Sequence, residues 1–142
     1  MEDPPVLFAY GTLRKAFHHP VAKFLEERVR YVGLGKTPGR LYDLGHYPAM
    51  IAASEPDDWV HGDVYELLEV HATIAELDRY EGALYRRTSG PVVLRDGKTV
   101  TAWFYIYVGP VQEDQRIPSG DYFDVLGRNR SVSEGGGGGG AS

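Results

Sequence analysis

A chain of 142 residues with 42% hydrophobic and 25% charged residues has the make-up of one soluble globular domain. Its formal net charge of −5 disfavours nucleic acid or an anionic membrane as a partner, because both call for a basic face. It has no cysteine, which excludes thiol catalysis, disulfides and thiolate metal sites.

No apolar run approaches the ~20 residues of a membrane span. The start, with Glu2 and Asp3 before two prolines, lacks the order of a signal peptide, so the expected location is cytoplasmic. Tyrosine is over-used, with ten against five phenylalanines. A ring carrying a hydroxyl suits half-buried sheets and ligand pockets alike.

The run Pro5 to Tyr10 reads as a short buried strand. It leaves through Tyr10-Gly11-Thr12-Leu13, a turn whose successive N–H groups could form an anion-binding concavity. Taken alone, those four residues are read more readily as a plain strand exit. His19 to Glu27 suggests a short helix, with Pro20 in its first turn and Val21, Phe24 and Leu25 on one face. Adjacent side chains diverge on helices and strands, so His18 and His19 make a poor metal pair and read as turn or cap residues.

Val29 to Leu44 predicts a strand, a bend at Lys36 to Gly39 and a second strand. Ala49 to Ala53 is a further short strand, Ser54 to Asp58 a polar loop, and Trp59 to Leu67 a longer strand in which Gly62 marks a bulge or a barrel bend. Thr73 and Glu76 have capping-box spacing and place a helix start close to Thr73, with about two turns to Tyr80. Gly90 to Arg95 and Thr99 to Val108 predict a hairpin about Asp96-Gly97. The second arm is nearly all β-branched or aromatic and reads as central, with Trp103, Tyr105 and Tyr107 on one face and Ala102, Phe104 and Ile106 on the other. Ile117 to Tyr122 reads as a loop docked through its two end residues.

Residues 1–127 therefore make one domain, and 128–142, with an unbroken glycine run from Gly135 to Gly140, a flexible tail. About six or seven strands with two short helices are too closely spaced for repeated βαβ units. The expected class is α+β, a small mixed β-barrel with short flanking helices.

No phosphate loop, dinucleotide fingerprint, zinc-protease helix or serine elbow is present. What remains is Glu81. Ile74, Leu77 and Glu81 share one helical face, so a carboxylate points inward at a helix exit, just before Gly82. In a half-apolar pocket such a group serves as general base and then acid. A salt bridge from Glu81 to Arg86 or Arg87 is an equally weighted reading of the same spacing.

Five segments occur together in order: Phe8 to Lys15 around Tyr-Gly-Thr-Leu, Gly39 to Ala49, Gly62 to Tyr65, Leu77 to Gly82 with Tyr85-Arg86-Arg87, and Ser119 to Tyr122. This set, spread from about Val6 to Tyr122, resembles the gamma-glutamylcyclotransferase-like family. The resemblance implies a small mixed barrel flanked by helices and a cofactor-free, metal-free reaction. That reaction releases an amine from a small-molecule gamma-glutamyl compound and forms 5-oxoproline. It also implies that Glu81 is the catalytic glutamate and that Tyr10, Gly11, Thr12 and Leu13 form the substrate-binding loop. Tyr105 and Tyr122 would line the pocket. The alternative is a non-catalytic protein that binds a small molecule in the same pocket. Neither the leaving amine nor the oligomeric state can be read from the motifs.

Overall fold

In the computed structural model, which describes residues 5–11, 13–14, 20–45 and 47–124, the first apolar run forms β1 (Val6–Ala9). Then follow α1 (Pro20–Glu26), β2 (Val29–Pro38), β3 (Arg40–Asp43), β4 (Pro48–Ile51), β5 (Trp59–Leu67), α2 (Val70–Glu81), β6 (Tyr85–Leu94) and β7 (Thr99–Tyr107). A 3-10 turn (Glu113–Gln115) leads into the short β8 (Arg116–Ile117). The expectations for Thr12, for His18 and His19 and for the glycine-rich tail lie outside the described residues. Among the described residues, no helix is long and apolar enough to cross a membrane.

Five strands close into a barrel in the order β1-β5-β2-β6-β7, and the other three form a separate sheet, β4-β3-β8. The barrel is mixed, because β1 pairs parallel with β7 while its other pairings are antiparallel. The expected class is therefore correct. Among the described residues there are eight strands against about six or seven expected, the addition being the two-residue β8, which pairs with β3; the two arms about Pro38-Gly39 part into different sheets. Pro38 offers no N–H to prolong the β2 ladder. The irregularity in register falls between Tyr31 and Gly33 on β2, not at Gly62, where the pairing is regular.

Two apolar clusters follow from strand alternation. One gathers Phe8, Tyr10, Val64, Val92, Ala102 and Phe104 with residues of the small sheet. The other gathers Leu7, Ala9, Tyr65 and Tyr105 with Leu25 of α1 and Ile74 and Leu77 of α2, and so lies between barrel and helices. β7 contributes to both, as its two apolar faces predict.

α2 departs from expectation at its start. It begins at Val70, and Glu69 at the cap position makes no side-chain cap bond. Thr73 is instead buried within the helix, and Glu76 pairs with Arg79, so there is no capping box. Packing of Ile74 and Leu77 stabilises this end where a cap does not.

The small sheet is fastened by Asp58. Its buried carboxylate accepts from Arg40 Nε at 2.7 Å, from an Arg116 Nη at 2.9 Å and from the backbone N–H groups of Ser54 and Glu55 at 2.9 Å. The Arg40 hydrogen bond above all, then the backbone donors, holds the carboxyl well below the usual range. A carboxylate so favoured in the folded state stabilises fully above its unfolded pKa of about 4, and the contribution drains away as pH falls toward the folded value. Between pH 5 and pH 2 the thermal midpoint of Asp58→Asn is therefore expected to fall less steeply than that of wild type. Parallel slopes would show that Asp58 does not govern acid stability.

Candidate active site

Register brings the site together. In the parallel β1–β7 pair Leu7 stands opposite Trp103, so two residues further along both strands Ala9 and Tyr105 reach the same level. In the antiparallel β6–β7 pair Tyr85 stands opposite Tyr107 and Arg87 opposite Tyr105. The turn after β1, the end of β7 and the start of β6 thus meet at one end of the barrel. α2 crosses that end on Ile74 and Leu77 and exits at Glu81. Gly82 ends the helix with φ 83°, a backbone that favours glycine, and its N–H bonds to the Asp78 carbonyl at 3.3 Å.

Glu81 is 4% exposed, as the shared face with Ile74 and Leu77 predicts. Its charge acts on three buried tyrosine hydroxyls. Burial first and Glu81 second raise the pKa of Tyr10 and of Tyr85 well above the ordinary phenol value. Tyr105 is raised by burial, then by its bond to Asp78, with Glu81 adding to the effect. Each hydroxyl gives its one proton to a protein acceptor. Tyr10 donates to the Tyr105 carbonyl at 2.7 Å, Tyr85 to the Pro48 carbonyl at 2.9 Å, and Tyr105 to Asp78 Oδ1 at 2.7 Å. Tyr47 and Tyr107 pack on Tyr85 with ring centroids 6.4 and 5.3 Å away. With those protons engaged, the three hydroxyls keep lone pairs that can accept hydrogen bonds.

The turn after β1 is buried at Tyr10, Gly11 and Leu13. The Arg14 N–H bonds to the Gly11 carbonyl at 3.0 Å, and the Leu13 carbonyl accepts from the Tyr65 hydroxyl at 2.9 Å. Arg14 is 2% exposed, a position no spacing rule in the sequence suggested. It lies 3.5 Å from Asp63 and 3.0 Å from Asp121, with its guanidinium 3.8 Å from the centroid of the Phe123 ring. Tyr122 is buried in the Tyr10 cluster. Its pKa is pushed up to about 12 by burial and then by the charge of Asp43. Tyr10, Tyr105 and Glu81 thus share one neighbourhood, while Tyr122 stands toward Asp43.

Arg87 pairs with Asp78, Nε to Oδ1 at 2.9 Å and Nη2 to Oδ2 at 3.2 Å, and lies over Trp103 at 4.4 Å. Asp78, Arg87 and Tyr85 join the site although the sequence singled out none of them as a site residue. Asp78 sits one helical turn before Glu81 and Arg87 two strand residues after Tyr85; their sequence signals are that proximity, the segments Leu77 to Gly82 and Tyr85-Arg86-Arg87, and the reading of Arg87 as a salt-bridge partner of Glu81.

Comparison with known proteins gives the family. The family model for "Gamma-glutamyl cyclotransferase, AIG2-like" matches residues 7–124. The chain is 33% identical over 125 residues to a Methanocaldococcus jannaschii protein named "Putative gamma-glutamylcyclotransferase MJ1514", covering 85% of this chain and 98% of that one. The solution structure of ytfP from Escherichia coli superposes with a TM-score of 0.60 at 34% identity, over 84% of this chain and 97% of that one. The crystal structure of YkqA from Bacillus subtilis superposes with a TM-score of 0.71 at 25% identity, over 91% of this chain and 43% of that longer one. With the family pattern spanning nearly all of the described residues, the chain belongs to the gamma-glutamyl cyclotransferase, AIG2-like family.

Proposed function

We propose that the protein is a gamma-glutamylcyclotransferase-type enzyme that releases an amine from a gamma-glutamyl amine or peptide as 5-oxoproline forms, with Glu81 as general base and then acid. The observation that carries this reading is the burial of Glu81 at the α2 exit among Tyr10, Tyr85 and Tyr105. A buried carboxylate near hydroxyls whose protons are already given to protein acceptors suits a ligand that brings N–H donors.

In this mechanism Glu81 takes a proton from the substrate α-amine. The amine nitrogen attacks the gamma-carbonyl carbon, a carbon–nitrogen bond forms and a five-membered ring closes. The bond to the departing nitrogen then breaks as Glu81 returns a proton to it. No water is consumed and no electrons change hands, so the chemistry calls for no redox group. Ring closure within one molecule has the proximity advantage, and the protein has mainly to fold the substrate and carry the proton. Backbone N–H groups of the Tyr10 to Leu13 turn would hold the α-carboxylate.

A panel of gamma-glutamyl amines and peptides tests the reading when each is paired with its N-acetylated counterpart. The expected result is 5-oxoproline and free amine in equal amounts from the unblocked compounds and nothing from the acetylated ones. Glutamate as the product would mean hydrolysis. Tight calorimetric binding with no product would favour the binding-protein alternative.

A further inference from the structure

The Tyr105 hydroxyl has one proton and two carboxylates on α2 whose charges act on it, Asp78 and Glu81. The proton goes to Asp78, at 2.7 Å. A chain of contacts holds Asp78 there. Arg87, opposite Tyr105 on β6, grips both carboxylate oxygens of Asp78 through Nε and Nη2. The Arg87 guanidinium in turn lies over the ring of Trp103, which shares a face of β7 with Tyr105. The ion pair is partly open to solvent, with side-chain exposures of 29% for Arg87 and 41% for Asp78. A pair that exposed stabilises a fold little, so stability is a poor reason for this arrangement.

We infer that Asp78 and Arg87 are positioning residues for the reaction: their ion pair keeps the Tyr105 hydroxyl donating to Asp78, so that this hydroxyl does not donate to Glu81 and presents a lone pair to the substrate amine. The inference rests on the proposed role of Glu81. A hydroxyl that donated to a catalytic carboxylate would lower its basicity and would have to be displaced before each proton abstraction. With Asp78 in place the same hydroxyl can accept from the α-amine. Asp78 and Arg87 act through Tyr105 and touch no reacting atom.

The test is a double-mutant cycle on 5-oxoproline formation, with kcat and KM measured separately for Asp78→Ala, Tyr105→Phe and the double variant. Asp78→Ala is expected to lower kcat roughly tenfold, the scale of one charge-assisted hydrogen bond, with KM changed less than about threefold. In the Tyr105→Phe background, where no hydroxyl can misdirect its proton, the same change is expected to cost less than about twofold in kcat. Asp78→Asn, which keeps an acceptor for Tyr105 but loses the ion pair with Arg87, should have a kcat between those of wild type and Asp78→Ala. Equal losses from Asp78→Ala in both backgrounds, or an Asp78→Asn variant as impaired as Asp78→Ala, would overturn the inference. If Asp78→Ala unfolds, the same cycle with Arg87→Gln is expected to show the same dependence on Tyr105, and additive losses there overturn it equally. Glu81→Gln measured alongside separates the two ideas. Full activity in that variant removes the catalytic reading itself, whereas an inactive Glu81→Gln with an additive cycle removes only the positioning role.

Discussion

Glu81→Gln is expected to lower kcat for 5-oxoproline release by roughly 10²–10⁴-fold, the range supplied by general acid–base catalysis. The amide keeps the shape of the side chain between Leu77, Tyr10, Tyr85 and Tyr105, but it can neither accept the proton of the substrate amine nor return one. The substrate recognition proposed for the turn after β1 would be untouched, so KM should change far less than kcat, the pattern of a contribution made in the transition state. The thermal midpoint is expected to stay within a few degrees of wild type, because the amide has the shape of the carboxyl and can still take part in hydrogen bonds. A variant that loses activity while keeping its stability points to function. If Glu81 were a structural salt-bridge residue, stability would fall and activity would follow it down.

Arg14→Met is expected to destabilise the fold by about 3–5 kcal/mol, the usual result of removing one partner from a buried ion pair. The methionine stem retains much of the packing but takes the guanidinium from Asp63, itself buried, which keeps the Tyr31 hydroxyl at 3.0 Å as a neutral donor. It also cuts the tie to Asp121, whose backbone carries the chain from Gly120 into the buried Tyr122. That segment has little slack. Gly120 sits at φ 71°, and a Cβ built there would lie 1.8 Å from the Trp59 carbonyl oxygen. For a domain of this length the loss corresponds to a fall in thermal midpoint of roughly 10–15 °C. Calorimetry of Arg14→Met beside Arg14→Lys measures it. Lysine keeps the charge but not the fork that spans Asp63 and Asp121, so an intermediate midpoint is expected. A midpoint for Arg14→Met within a degree or two of wild type would show that this cluster does not hold the turn and the C-terminal segment together.

These two residues differ in how far the sequence revealed them. Glu81 was legible because three positions on one helical face, Ile74, Leu77 and Glu81, are set by a local period. The strand from Trp59 to Leu67 and the hairpin about Asp96-Gly97 were legible because runs of strand-forming residues and turn chemistry act over a few residues. Arg14 was not, because its partners lie 49 and 107 residues away and no periodicity spans such distances. The Tyr105–Asp78 bond, 27 residues apart, was hidden in the same way. The third strand of the small sheet escaped because Arg116–Ile117 is two residues long and is defined by its pairing with β3. The start of α2 misled for another reason. Thr73 and Glu76 have capping-box spacing, but the apolar contacts of α2 extend the helix back to Val70 and bury Thr73.

The central claim is that Glu81 moves the proton in a ring closure. One measurement tests it most directly: the initial rate of 5-oxoproline formation from a panel of gamma-glutamyl amines and peptides, with wild type and Glu81→Gln side by side. The account predicts that wild type turns over at least one compound, and that the folded variant falls by two orders of magnitude or more on that same compound. Equal rates from the two proteins would contradict it.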